Sequence, residues 1–276
     1  MAVVDGGSVA GDVIGGLVEA EDSSASYNTV LVRNASVGGS IYGGDAGAGS
    51  AATHNSVIIG TGADLSADAA LYGGWIGGAP VAAAGSGNTL FVDSWQGSVA
   101  RAAGFENLHF VLPSPGVPVD VPMLTVTDAQ EGDFAGSTVT AQLPDVITGG
   151  RAYLGETFTL ISDAGGAVGQ ASAGRLVSLL QGYAAYFDGV LENTGTAVQL
   201  RLEEVRMNPR ITALTEARAA ASGLLNQGGD LAADTGMPAR RRTAKKTKSG
   251  IRLRPCTAAR RGITRAPEQT QKAFPV

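Results

Sequence analysis

The chain has 276 residues, 40 of them glycine, with only 5% aromatic content and a formal net charge of −5. That length allows a substantial core, but so much glycine with so few aromatic residues excludes an ordinary compact globule and suits a slim, coiled body. No apolar run reaches the roughly 18 residues that a membrane-spanning helix needs.

The net charge conceals two regions. Before Pro238 stand eight Arg, no Lys and 24 of the 25 acidic residues; 12 basic residues and the one cysteine, Cys256, come after it. A long stretch without cysteine has two readings: chance, or a segment that crosses a membrane unfolded, where a premature disulfide would block passage. The opening residues, Met1-Ala2-Val3-Val4-Asp5-Gly6, have neither the basic region nor the apolar run of a signal peptide. The expectation from that alone is a cytoplasmic protein or a piece of something larger.

Residues 1–104 read as a repeat region. Residues 8–16 line up with residues 36–44 at a displacement of 28. Asn28-Thr29-Val30-Leu31-Val32 returns 27 residues on as Asn55-Ser56-Val57-Ile58-Ile59, and again as Asn88-Thr89-Leu90-Phe91-Val92. Ile41-Tyr42-Gly43-Gly44 returns as Leu71-Tyr72-Gly73-Gly74. Self-similarity at such a period marks a solenoid or propeller, whose units bury their apolar faces on one another. The opening of each unit has strand length, and a side-chain period of two puts Asn28, Asn55 and Asn88 in a ladder beside Val30/Val32, Val57/Ile59 and Leu90/Val92. The alternative is that these asparagines only start turns. The paired glycines are expected to supply positive φ at a corner, and residues 43–52 and 75–87 read as loops.

Residues 105–205 keep the β character without the repeat. Strands are predicted at 108–112, 123–127, 138–143, 157–162 and 197–203, with Pro113, Pro115, Pro118 and Pro122 breaking the chain after the first. The last is the clearest, with Val198, Leu200 and Leu202 opposite Gln199, Arg201 and Glu203. Residues 206–237 hold the one strong helix: Asn208-Pro209 starts it, and Ile211, Leu214, Ala217, Ala221, Leu224 and Leu225 recur at helical spacing as far as Gly228-Gly229. Residues 238–276 are basic, poor in aliphatic residues and aperiodic, the profile of a disordered tail.

This order of parts resembles the passenger and linker of bacterial autotransporters, the type V secretion proteins. The resemblance rests on the Asn-x-Val-x-Val and Ile-Tyr-Gly-Gly repeats, on Gly155-Glu156-Thr157-Phe158-Thr159-Leu160-Ile161, and above all on Asn208-Pro209-Arg210-Ile211-Thr212-Ala213-Leu214-Thr215-Glu216-Ala217-Arg218. It covers residues 1–237 and implies an all-β fold: a right-handed parallel β-helix followed by one α-helix and a disordered basic tail. Residues 1–104 and 105–205 become two parts of a passenger, and 206–237 becomes the linker helix. The implied address is the cell surface, outer membrane or exterior. The implied partners are an outer-membrane translocator barrel, missing from this sequence, and a host or cell-surface ligand. A barrel needs many alternating strands with aromatic girdles, and Phe274 is the one aromatic residue after Met237. A truncated gene product with an out-of-frame tail accounts for the concentration of Lys and Cys there.

Catalytic groups are sparse. His54 and His109, in a loop and a strand, suit packing or solvent roles. Asp93-Ser94 and Asp163 lack the context of a Ser-His-Asp set, Gly43-Gly44-Asp45 lacks the period of calcium-binding repeats, and no zinc helix, nucleophile elbow or P-loop occurs. Arg240-Arg241-Arg242 with Lys245, Lys246 and Lys248 has no interleaved aromatic to stack bases, so no nucleic-acid partner is expected. No catalytic, cofactor or metal residue is assigned. The expected function is structural or adhesive, with no enzyme activity; the alternatives are a β-helical carbohydrate-active enzyme, with acidic side chains converging from neighbouring coils, and a nonfunctional remnant.

Overall fold

The computed structural model describes residues 1–114, 118–128, 133–144, 153–172, 175–181 and 185–244. The basic stretch from Lys245 onward, with Cys256, lies outside them. Two compact units divide the chain, Met1–Glu216 and Ala217–Val276.

The first unit begins as a parallel β-solenoid. One coil comprises β1 (Ala2–Asp5), β2 (Ser8–Val9), β3 (Val13–Ile14) and β4 (Leu17–Val18). The next comprises β5 (Thr29–Arg33), β6 (Ser36–Val37), β7 (Ile41–Tyr42) and β8 (Asp45–Ala46). The third has β9 (Ser56–Ile59), β10 (Asp64–Leu65), β11 (Ala70–Tyr72) and β12 (Trp75–Ile76), with β13 (Ala79–Pro80) folded back antiparallel on β12. Then come β14 (Thr89–Asp93), β15 (Gly97–Val99), β16 (Arg101–Ala103), β17 (Asn107–Val111), β18 (Leu124–Val126) and β19 (Thr138–Gln142). The longest parallel sheet runs β1-β5-β9-β14-β17-β19.

Its register follows the repeats read from the sequence. Ala2 pairs with Val30, Val30 with Val57, Val57 with Leu90, Leu90 with Leu108 and Leu108 with Val139, forming one column of inward side chains. The step from strand to strand is 28, 27, 33, 18 and 31 residues in turn. Strand β5 shows why these residues form a strand: Val30 and Val32 are buried, Thr29 and Leu31 half-buried, and Arg33 exposed. Each buried Val or Leu contributes about 1.5–3 kcal/mol of apolar transfer, and no coil alone has a second layer against which to gain it.

The corners depart from expectation in an informative way. Positive φ falls on the residue before each ladder asparagine, Tyr27, His54 and Gly87, with φ of 60°, 57° and 64°. The paired glycines at 15–16, 43–44 and 73–74 are not among the positive-φ residues. Their role is steric. A Cβ on Gly44 would strike the Ala25 carbonyl oxygen and the Asn55 amide, and one on Gly74 would strike the Ala52 carbonyl and the Asn88 amide. The glycines thus make room for the asparagine ladder. In that ladder Asn28 N–H and Nδ2 donate to Asn55 Oδ1 at 2.9 and 3.2 Å, and Asn55 N–H donates to Asn88 Oδ1 at 2.8 Å. Asn88 Nδ2 ends the row on the carbonyls of Gly104 and Ala52, at 3.0 and 3.2 Å. Asn55 and Asn88 are fully buried, so these bonds replace lost hydration; the Asn55 Nδ2 is a buried donor with no hydrogen-bond partner. The stretches expected as loops also contain the paired strands β8 and β12.

Beyond β18 the pattern changes. That strand still pairs in parallel with β15 and with β20 (Thr157–Asp163), but β20 then pairs antiparallel with β23 (Ala197–Met207). Strand β23 pairs antiparallel with β22 (Ala185–Asn193), and β22 with β21 (Arg175–Gln181). Parallel coils were expected through to residue 205. The antiparallel end follows from the connections, because β22 and β23 are joined by a tight turn in which Thr194 N–H donates to the Ala197 carbonyl and Gly195 has φ of 96°, whereas a parallel pair needs a long crossover.

Helix α1 (Pro209–Ala244) begins as expected, with Asn208 Oδ1 accepting the Arg210 N–H at 3.1 Å and proline in the first position. It does not stop at Gly228-Gly229 but continues to Ala244, and the greater part of the expected disordered tail, from Lys245 on, lies outside the described residues. Glycine weakens a helix by about 1 kcal/mol without forbidding it. The side chains of Leu224, Leu225 and Leu231 are exposed.

Candidate binding surface

The chemically versatile side chains singled out in the sequence are mostly occupied by the fold. His54 stacks on Tyr27 with ring centroids 4.8 Å apart, a pairing imposed by their equivalent places in adjacent coils. His109 packs on Phe91 and hydrogen-bonds Thr140 through Nδ1 at 2.9 Å. Asp163 is buried, and its carboxylate accepts the N–H groups of Gly165 and Val168 at 3.0 and 2.9 Å, which fixes the turn after β20. Ser94 Oγ lies 3.3 Å from both Asp93 Oδ1 and the Leu112 carbonyl, which share its single proton. Asp45 sits in β8 opposite Trp75, where partial burial pushes its carboxyl above the usual aspartate range. These groups therefore act as packing, turn and register elements. Among the described residues no group of three or more His, Cys, Asp or Glu is placed to hold a metal ion.

One surface collects side chains that the fold's register alone does not require. On the face formed by β7, β11 and β16, the rings of Tyr42 and Tyr72 stack at 5.2 Å because the two residues pair in register. Trp75, just past the glycine pair, packs against both, at 4.5 Å from Tyr72 and 5.7 Å from Tyr42. Tyr72 is buried, whereas Tyr42 and Trp75 are half-buried. Burial, with Asp12 nearby, raises the Tyr42 phenol above its usual value, so it is a neutral hydroxyl at physiological pH.

Beside the rings opens a cleft of about 460 Å³, completed by Ser40, Asp68, Ala70, Ala100, Arg101 and Asp128. Arg101 enters through its pairing with Ala70, and its Nε lies 3.2 Å from Asp128 Oδ2. The small side chains of Ala70 and Ala100 leave that space open. The cleft thus joins flat apolar surface to both hydrogen-bond donors and acceptors. Sequence reading missed it; the signal was Tyr recurring before Gly-Gly, with Trp75 directly after the second pair.

No protein-family model, curated protein or solved structure matches the chain. The class that the fold defines is a parallel β-solenoid with an antiparallel sheet after it, followed by a helix.

Proposed function

We propose that the chain is the passenger region of a type V secretion protein, displayed at the cell surface or released, with a structural and adhesive role. The observation that carries this reading is the order of parts: a stack of parallel coils, an antiparallel sheet, then a helix opened by Asn208-Pro209. A rigid solenoid presents long, regular faces built at little cost in side-chain variety, which suits a scaffold. The helix exposes Leu224, Leu225 and Leu231 to solvent, as befits a segment whose working surroundings are a translocator barrel acting as partner. The ladder and its glycines also need no disulfide, which agrees with a chain threaded unfolded across a membrane.

The test is export. The chain, placed behind a cleavable export signal and ahead of an outer-membrane barrel in a Gram-negative host, should become accessible to protease and antibody on intact cells. Retention inside the cell, under conditions where a control passenger is displayed, would sink the reading.

A further inference from the structure

We infer that the cleft on the β7-β11-β16 face is a binding site for a neutral oligosaccharide. This names a ligand class for the adhesive face and takes its biological setting from the passenger reading, but the site itself stands on its own geometry.

Tyr42, Tyr72 and Trp75 form one contiguous aromatic body, with centroids 4.5–5.7 Å apart, along one wall. Stacking between coils explains why the rings touch. It does not explain why polar groups of both kinds gather beside them: Ser40, Asp68, Arg101 and Asp128. A sugar ring has a flat C–H face flanked by hydroxyls that both donate and accept. It therefore needs an apolar plate and mixed polar partners together, which this cleft supplies. A cationic ligand would be drawn by the rings and by Asp68, since Asp128 offsets Arg101, and it is the rival that a titration with tetramethylammonium separates. An anionic one would be opposed by Asp68 and Asp128. The Arg101–Asp128 pair holds both side chains in place before a ligand arrives, which reduces the ordering cost of binding. The cleft is open to solvent, so it suits a chain of sugars lying along the face.

Tryptophan emission reads the site directly. The chain has two tryptophans; Trp95 is buried, its Nε1 bonded to the Ala63 carbonyl at 2.8 Å, so a ligand at the cleft perturbs Trp75. The full chain is titrated with cellohexaose, chitohexaose and a linear mannohexaose, and separately with tetramethylammonium chloride. At least one oligosaccharide should give a saturable change in emission. By calorimetry, Trp75→Ala should abolish binding, and Asp68→Ala, at an exposed position, should weaken it by on the order of tenfold. Trp75→Phe, which keeps an aromatic plate, should retain calorimetric binding while losing the optical signal. No saturable response to any of the three sugars at about ten millimolar, far above ordinary lectin-scale affinities, overturns the inference. So does unchanged affinity in both Trp75→Ala and Asp68→Ala, or a response to tetramethylammonium alone. An exported chain that binds no sugar sinks this inference only; a sugar-binding chain that is not exported sinks the passenger reading only.

Discussion

The parallel coils and the antiparallel sheet that follows them use the same strand-forming residues but hold themselves together differently. In the coils, each side chain stands over its own equivalent one turn away: Val30 over Val57, Tyr42 over Tyr72, Asn55 over Asn88. In the antiparallel sheet each strand meets unlike residues, as where Phe158 faces Leu200 and Tyr186 faces Arg206. The first arrangement couples neighbouring coils, so one bad residue is felt in two or three of them. The second leaves a defect more local.

Four substitutions test that contrast. The largest effect is expected for Val57→Asp, because Val57 is fully buried between Val30 and Leu90. An unpaired carboxylate there costs roughly 3–5 kcal/mol, and thermal unfolding followed by circular dichroism should show early loss of β signal. A melting curve like that of the parent would deny the column its role. Asn88→Ala should come next. It removes the acceptor of the Asn55 N–H and the donor to two carbonyls, at about 1–3 kcal/mol for each buried group left unpaired, so the urea midpoint should fall while the slope is kept.

How much of this was legible follows from the same contrast. The coil register was readable because ladder contacts demand like residues at like places, which is why Asn28, Asn55 and Asn88 announced themselves. The glycine pairs were visible too, but their reason was not: a sequence shows a missing side chain without showing the Asn55 or Asn88 amide that needs the space. The two-residue strands β8 and β12 are too short for any alternation to register. Antiparallel pairing of β20 to β23 was hidden because a strand's own pattern does not specify its neighbour's direction. The aromatic cleft was missed because Tyr42, Tyr72 and Trp75 meet only after the coils are stacked. The helix start was legible through Asn208-Pro209, and its end was not.

Tyr153→Phe probes the seam near the start of the antiparallel sheet. The phenol is buried, donates to the Pro113 carbonyl at 2.7 Å, and is pushed up to about 12 by burial. Its loss should cost about 1–2 kcal/mol at neutral pH. A raised phenol titrates first in the unfolded chain, so the parent's advantage should shrink as pH rises from the unfolded value of 10.0 toward about 12. Equilibrium denaturation at pH 7 and pH 11 checks both signs. A constant difference across that range would contradict a buried, neutral phenol.

The smallest effect belongs to Asp45→Asn, and its sign is the informative part. Burial raises this carboxyl, so the folded state holds the proton more tightly than the unfolded chain, and the stability that protonation confers is lost as pH rises through the folded value. The variant should therefore melt slightly above the parent at pH 7 and coincide with it in acid. A variant that melts below the parent at pH 7 would mean that Asp45 supports the coil through its charge.

The unequal coils also have a practical meaning. The step from Val57 to Leu90 takes 33 residues against 27 for the one before it, yet the strands on either side stay in register. The surplus is spent between β12 and β14, where Gly77 and Gly78 turn the chain into β13 and Gly87 returns it to the wall. That corner behaves as a port in the scaffold. A foreign epitope spliced at its exposed tip, between Gly77 and Gly78, would leave the buried Ala83 and the Val81 N–H bond to the Gly74 carbonyl in place, which makes that turn a place for displaying a peptide from the side of the stack.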